Sequence, residues 1–178
     1  TTKDGVVLEG EWKDGKINGI GKLIQSNGDR YEGSLVNWKR NGKGVSIYTT
    51  GEKYDGYFID DLRHGQGILT GQDGLRYEGN WSLGKMDGIG KITYSSGSEY
   101  EGTFKNNQPN GKGKIIFSDG GSYEGSWLNG VIEGNGIAKY ANGLIYEGAF
   151  SRGKNNGVGT MTYSDGYVYK GNCQNGVQ

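Results

Sequence analysis

Glycine and aromatic side chains recur in this chain at an unbroken interval of 23 residues, and no other feature limits its fold as strongly. The tripeptide Tyr-Glu-Gly begins at Tyr31, Tyr77, Tyr100, Tyr123 and Tyr146, with variants at Leu8-Glu9-Gly10, Tyr54-Asp55-Gly56 and Tyr169-Lys170-Gly171. The pattern Gly-x-Gly follows at Gly19/Gly21, Gly42/Gly44, Gly65/Gly67, Gly88/Gly90, Gly111/Gly113, Gly134/Gly136 and Gly157/Gly159. One more glycine precedes each tripeptide: Gly5, Gly28, Gly51, Gly74, Gly97, Gly120, Gly143 and Gly166. These four slots take up 30 of the 37 glycines in 178 residues. Two residues after the tripeptide glycine stand Trp12, Phe58, Trp81, Phe104, Trp127 and Phe150; four after the second Gly of Gly-x-Gly stand Tyr48, Tyr94, Phe117, Tyr140 and Tyr163. A fixed period of this length marks a tandem-repeat architecture. Periodicity in both the largest and the absent side chains implies that the two pack against each other.

Within each period the reading is strand, turn, strand, turn. In Tyr77-Glu78-Gly79-Asn80-Trp81, alternation puts Tyr77, Gly79 and Trp81 on one face and Glu78 and Asn80 on the other. Gly88, Gly90, Ile92 and Tyr94 share a face in the same way. Asn27-Gly28, Asp73-Gly74, Asn142-Gly143 and Asp165-Gly166 are turn signals, because glycine takes positive φ without steric cost. Strand glycines leave gaps that an aromatic of the adjacent strand can cover. The expected fold is all-β: an elongated, single-layer, antiparallel sheet of tandem 23-residue β-hairpin repeats, two strands per repeat, a rod or solenoid on the order of 70 Å long at ~4.8 Å per strand.

Other classes drop out. Glycine spread this evenly opposes a helical chain, at about 1 kcal/mol per interior glycine relative to alanine. One proline excludes collagen. An aromatic content of 12% opposes disorder. The single Cys173 forms no intramolecular bridge, and no apolar run nears the ~20 residues of a membrane-spanning helix. Twenty basic residues balance twenty acidic ones, which argues against nucleic acid as a partner.

With these residues in register, the chain resembles a tandem array of MORN (membrane occupation and recognition nexus) repeats over essentially its whole length, 1–178, with about seven full units and partial ends. The start at Thr1-Thr2-Lys3 reads as that of an excised fragment of a larger protein. The resemblance implies an elongated hairpin ribbon of the kind found in scaffolds, cytoskeletal proteins and junctional membrane proteins, and as appendages of lipid kinases and a methyltransferase. It implies no catalysis. Departures from the pattern are Leu8 and Leu35 in place of aromatics, Ser46 in an apolar slot, and Lys170 and Cys173 in the last unit.

No catalytic, metal or cofactor site is expected. The only histidine, His64, occupies a slot filled elsewhere by Asn18, Asn41, Asp87, Asn110, Glu133 and Asn156, read as a turn position. Cys173, in place of a packing aromatic, reads as a buried or half-buried thiol. The seven Gly-x-Gly sites lack the following glycine and helix of a dinucleotide fingerprint. The acids Glu9, Glu32, Asp55, Glu78, Glu101, Glu124 and Glu147 form a column on the face opposite the aromatics, read as accepting hydrogen bonds from neighbouring turns or pairing with lysines of the next strand in preference to a recognition stripe for basic groups.

The aromatic face is the candidate binding surface, with Tyr77, Trp81, Tyr94, Tyr100, Phe104, Tyr123, Trp127, Tyr146 and Phe150 as its contact residues. A one-layer sheet cannot bury both faces, so these rings are expected to be partly exposed unless twist curls them into a groove. Trp38, Tyr57 and Tyr167 fall outside the periodic slots and are further contact candidates; Met86, Leu128, Val131 and Ile132 are also unexplained by the repeat. The function expected is a non-catalytic protein-interaction scaffold, cytoplasmic, in a cytoskeletal or membrane-associated assembly. It would bind a protein partner such as an amphipathic helix in its aromatic groove or form a homodimer through its ends. A phospholipid-contact module and a regulatory repeat domain of a larger enzyme are the alternatives.

Overall fold

A computed structural model describes residues 7–174. Thr1-Thr2-Lys3, Gly5 and the side chains of Leu8 and Lys13 lie outside that description. Among the described residues fifteen strands form one antiparallel sheet in which spatial order follows chain order, as the period predicts. The tripeptide strands are β1 (Val7–Lys13), β3 (Arg30–Val36), β5 (Lys53–Ile59), β7 (Arg76–Ser82), β9 (Glu99–Lys105), β11 (Ser122–Leu128), β13 (Ile145–Ser151) and β15 (Val168–Cys173). The Gly-x-Gly strands are β2 (Lys16–Ile24), β4 (Lys39–Ile47), β6 (Leu62–Thr70), β8 (Lys85–Thr93), β10 (Gln108–Ile116), β12 (Val131–Lys139) and β14 (Lys154–Thr162). One 3-10 turn, Gln72–Gly74, interrupts the pattern. The chain divides into two compact units, Thr1–Asp87 and Gly88–Gln178.

Two turn types alternate. Inside each repeat the link has two residues, both at positive φ, as in Asp60 (45°) and Asp61 (69°) or Asn106 (49°) and Asn107 (70°). This is the primed turn whose twist matches that of its flanking strands. Between repeats the loop has three residues ending in a glycine. The N–H of Gly28 donates to Gln25 O and that of Gln25 to Asp29 O. The four turn signals read from the sequence all fall in the links between repeats, with glycine φ between 84° and 92°; at Asp73-Gly74 the 3-10 turn replaces the glycine bond with one from Leu75 N–H to Gln72 O.

Strand register lines the glycines up. In the first unit Gly10, Gly21, Gly33, Gly44, Gly56, Gly67 and Gly79 are successive cross-strand partners; in the second the row runs from Gly90 through Gly102, Gly113, Gly125, Gly136, Gly148 and Gly159 to Gly171. Tyr31, Tyr54, Tyr100, Tyr123 and Tyr146 each lie down along their own strand and cover two members of the row, and Tyr169, on the last strand, covers Gly171. A Cβ added at Gly67 would fall within the ring of Tyr54, and one at Gly113 within that of Tyr100. Each ring is fixed at its far end, where the hydroxyl donates to the carbonyl three residues on: Tyr54 to Tyr57 O at 2.9 Å, Tyr77 to Asn80 O at 2.8 Å, Tyr100 to Thr103 O at 2.9 Å.

The expected exposure of the aromatic face is not what forms. Tyr54, Tyr100 and Tyr146 are 0% exposed, and Tyr77, Trp81, Phe104, Tyr123, Trp127 and Phe150 are buried; of the nine rings named only Tyr94 stays half-exposed. Rings standing perpendicular to a sheet would meet water. Rings lying over a glycine row bury one face on backbone and the other on the next ring. Edge-to-face contacts link Tyr31, Phe58, Tyr54, Trp81 and Tyr77 in the first unit, with centroids 5.0–5.3 Å apart. In the second they link Phe104, Tyr100, Trp127, Tyr123, Phe150 and Tyr146 at 4.9–5.5 Å. Such contacts add about 0.5–1.5 kcal/mol each beyond the area they bury. The indole N–H of Trp81 donates to Gly67 O and that of Trp127 to Gly113 O.

Successive hairpins are also tied at their tips. The second turn residue donates its N–H to a carbonyl of the preceding repeat: Asp61 to Arg40 O, Gly84 to Arg63 O, Gly130 to Pro109 O, Gly153 to Ile132 O. The first is held by the slot that contains His64. Asn37 N–H donates to Asn18 Oδ1, Asn129 N–H to Asn110 Oδ1, and Arg152 N–H to Glu133 Oε2. The slot therefore lies in a strand and not in the turn, and its residue types share an acceptor, which Asn18, Asn110 and Glu133 aim at the neighbouring turn. His64 is half-buried in β6, and its Nδ1 is buried without a hydrogen-bond partner. Cys173 is a buried free thiol, as expected.

Candidate functional site

Two surfaces offer recesses. On the inner, aromatic side, the rings four residues beyond Gly-x-Gly form a rim above the buried ladder. Phe117 and Tyr140 are 38% and 40% exposed, and Tyr48, Tyr94 and Tyr163 are half-buried. In the second unit these rings wall two adjacent clefts. One, of 290 Å³, is lined by Phe117, Tyr123, Ile132, Ala138, Tyr140 and Phe150; the other, of 350 Å³, by Tyr140, Leu144, Asn155, Met161 and Tyr163. The first opens because Ala138 stands where other repeats carry Leu23, Leu69, Ile92, Ile115 or Met161. Tyr140 is the shared wall, oriented by its hydroxyl donating to Asn155 Oδ1 at 2.9 Å.

The outer side of the second unit carries a groove of 960 Å³ along the glycine row, with Gly113, Gly125, Gly136 and Gly148 in its floor and Glu101, Glu147 among its walls. Irregular register beside the row, between Gly125 and Trp127 and between Gly148 and Phe150, bends these strands as bulges do. The acid column lies on this face. Glu32 pairs with Lys22 at 3.5 Å and Glu124 with Lys114 at 3.6 Å, as expected of neighbouring strands, whereas Glu78 turns to Arg76 of its own strand at 2.7 Å. No sequence signal pointed to this groove, whose floor is the backbone of the glycine row.

The off-register aromatics are exposed: Trp38 at 42%, Tyr57 at 49% and Tyr167 at 62%. Trp38 takes φ 73° in its turn and packs edge-to-face on Trp12, 5.1 Å between centroids. Tyr167 leans on Tyr163 at 5.6 Å. Leu128 and Val131 flank a primed turn as cross-strand partners; Met86 and Ile132 share an inner-face slot with Ile17, Arg40, Arg63, Pro109 and Asn155.

Electrostatics on the inner face is set by burial. It pushes the hydroxyls of Tyr31 and Tyr100 up to about 12 and those of Tyr54 and Tyr77 higher still. The buried tyrosines are thus neutral donors, occupied with backbone carbonyls. Two arginines enter the same face. The guanidinium carbon of Arg40 lies 4.9 Å from the Phe58 centroid; its Nε donates to Asp61 Oδ1, one terminal nitrogen to Asp61 O and the other to Ser46 Oγ. That bond explains the polar Ser46 in an otherwise apolar slot. Arg63 lies 5.1–5.2 Å from the centroids of Tyr48, Tyr54 and Trp81. Among the described residues no group of three His, Cys, Asp or Glu side chains is placed to hold a metal ion, and no helix is long and apolar enough to cross a membrane.

Seven consecutive segments covering residues 9–166 match the MORN repeat family. No curated protein sequence matches the chain. Among solved structures, the TCP10 domain of Danio rerio CPAP in complex with a peptide of STIL superposes with a TM-score of 0.56 at 16% identity, over 96% of this chain and 76% of that one. The same domain without peptide gives 0.54 at 16% identity, covering 96% and 81%. The SAS-4 TCP domain of Drosophila melanogaster, in complex with a proline-rich motif of Ana2, gives 0.51 at 12% identity, covering 86% and 84%. These likenesses are of fold. The chain belongs to the MORN repeat family.

Proposed function

We propose that this MORN-repeat array is a non-catalytic scaffold that binds an extended segment of a partner protein along the aromatic rim of its inner face, within a cytoskeletal assembly. The observation that carries the reading is the pair of clefts between Phe117, Tyr140 and Tyr163. Here rings are left over after the ladder has closed, and they border recesses lined by Tyr123, Phe150 and Met161. Aromatic side chains around desolvated pockets supply most of the energy at protein interfaces. The outer groove is larger but mixes Glu101 and Glu147 with Lys112 and Lys114 over a backbone floor, and so offers fewer anchors.

The spacing favours an extended ligand. Successive rim rings are one repeat apart, two strands or about 10 Å. A polyproline II segment advances about 9 Å per turn of three residues, so one residue in three would meet each cleft, and such segments dock in aromatic-lined grooves elsewhere. The proline-rich motif and the STIL peptide held by the similarly folded domains support this choice. Titration with a dodecapeptide carrying proline at every third position tests it. Saturable shifts of the Phe117, Tyr140 and Tyr163 resonances, with at least tenfold weaker binding by Tyr140→Ala, are expected. Absence of shifts at millimolar peptide, or equal binding by the variant with its fold intact, refutes the reading.

A further inference from the structure

We propose that Arg63 and Tyr48 form a carboxylate-binding site on the inner face of the first unit, built to receive the side chain of an acidic residue of a bound protein segment. Only that source of the carboxylate rests on the scaffold reading; the site itself rests on an imbalance of donors and acceptors that the repeat makes visible.

Three comparisons between equivalent slots establish the imbalance. Arg40 and Arg63 occupy the same slot, 23 residues apart. Arg40 finds its carboxylate in Asp61 and its hydroxyl in Ser46. The positions equivalent to those partners around Arg63 are Gly84 and Leu69, neither of which carries an acceptor side chain. Tyr48 and Arg63 also correspond to Tyr140 and Asn155, four repeats on. There the phenol donates to Asn155 Oδ1 at 2.9 Å; an arginine in that place has five N–H donors and no acceptor.

The result is a guanidinium and a phenol whose protons find no acceptor in the fold. No carboxylate, carbonyl or hydroxyl among the described residues accepts from the Arg63 side chain, and none accepts from the Tyr48 hydroxyl. The guanidinium carbon stands 5.1 Å from the Tyr48 centroid, 5.2 Å from that of Tyr54 and 5.1 Å from that of Trp81. Three rings thus hold the cation in place. Arg63 and Tyr48 are both half-buried, so they remain open to solvent. A planar carboxylate fits this geometry, because a guanidinium edge donates two parallel N–H bonds to its two oxygens, and partial desolvation by the rings strengthens the attraction. Aromatic walls hold and align the cation while leaving its hydrogen bonds to be made from outside.

The repeat supplies variants that the fold already accommodates. Arg63→Met reproduces Met86 in its slot, Tyr48→Phe reproduces Phe117, and Gly84→Asp reproduces Asp61. The probe is the peptide acetyl-Gly-Gly-Glu-Glu-Gly-Gly-amide against its Gln-Gln twin. Binding is read from the Nε–Hε NMR signals of the five arginines, Arg30, Arg40, Arg63, Arg76 and Arg152. The expected result is a saturable shift of the Arg63 signal with the Glu peptide, at least fivefold weaker with the Gln peptide and with Tyr48→Phe, and at least tenfold weaker with Gly84→Asp, where an internal carboxylate takes the site. Equal response to the two peptides, a shift of Arg40 as large as that of Arg63, unchanged affinity in Gly84→Asp, or a response to inorganic phosphate but not to the Glu peptide overturns the proposal. Failure of the proline-rich titration with success here would remove the rim reading and leave this site standing.

Discussion

Gly67→Ala should destabilise the first unit by about 3–4 kcal/mol, although alanine ordinarily improves on glycine in a strand by ~0.5–1 kcal/mol. The three atoms closest to the new Cβ all belong to Tyr54, with ring carbons at 2.5 and 2.6 Å, and contacts that short cannot be kept. The backbone has little room to yield, because Gly67 is paired with Gly56 on one side and Gly79 on the other. The ring of Tyr54 must swing out. Burying a tyrosine removes about 150–250 Å² from water, worth ~4–6 kcal/mol at 25 cal/mol/Å². Its edge-to-face contacts with Phe58 and Trp81 add about 1 kcal/mol each, and its hydroxyl bond to Tyr57 O about 1 kcal/mol more. Neighbouring rings refill part of the space, so roughly half of that sum is expected as the cost. In a Tyr54→Leu background, which reproduces Leu8 of the equivalent slot, the same glycine substitution should cost less than about 1 kcal/mol, giving a coupling of ~2–3 kcal/mol. Hydrogen exchange at the amides of β5 and β6 reads the local free energy without assuming that a repeat array unfolds in one step. Equal cost in the two backgrounds, or a cost below about 1 kcal/mol in the parent chain, would refute the account of tyrosines resting on the glycine row.

Gly74→Ala is the matching control: nothing lies within 4 Å of its Cβ and φ is +84°, so only the left-handed backbone cost of about 1–2 kcal/mol should appear in a urea melt. Alkali should unfold the protein. Tyr31 and Tyr100 are raised to about 12 against ~10 unfolded, so the folded state holds protons that the unfolded state releases; stability is full below pH 10 and is lost as pH rises towards 12. Phenolate absorbance of the buried tyrosines should therefore rise together with loss of the β-sheet circular dichroism signal, and a rise well before that loss would contradict it. Asn110→Ala removes the acceptor of the Asn129 N–H and should cost about 1 kcal/mol, with faster exchange at that amide and little change at strand amides of the first unit.

The sequence made the faces legible and left the packing direction obscure. Alternation placed Tyr77, Gly79 and Trp81 on the buried side and Glu78 on the exposed one, as found, because period-two patterning survives in any strand whose two faces differ. It could not show whether the rings stand up from the sheet or lie along it. That choice depends on which glycines are partners across strands, and Gly56 meets Gly67 only because the register set at the primed turn of Asp60-Asp61 shifts by two residues between Phe58 and Gly56. The acceptor slot could have been recognised, since Asn18, Asn41, His64, Asp87, Asn110, Glu133 and Asn156 share nothing but an acceptor; the sequence alone did not say that its target is a turn 19 residues onward. The small Ala138 was a legible sign of the first cleft, whereas the outer groove, floored by backbone along the glycine row, had no side chain to announce it.

The distribution of variability argues where function was free to develop. The glycine row, the tripeptide tyrosine and the ring four residues after it are locked together by contact and vary only at Leu8, Leu35 and Cys173. The slot of Arg63 meets the ladder from its open side, and it holds Ile17, Arg40, Arg63, Met86, Pro109, Ile132 and Asn155. A slot that tolerates apolar, cyclic, amide and cationic side chains is not fixed by the fold. Differences between repeats there change the surface without disturbing the ladder: an arginine neutralised by Asp61, an arginine left with only aromatic neighbours, an asparagine that orients Tyr140. In the facing slot, Ala138 opens a cleft where Leu69 or Ile92 would fill it. Uniform repeats would present one identical rim ring every ~10 Å and could not fix a partner's register. The differences at these two slots break that degeneracy within each unit: a cationic position marks one repeat of the first, and a pair of ring-walled clefts marks two repeats of the second.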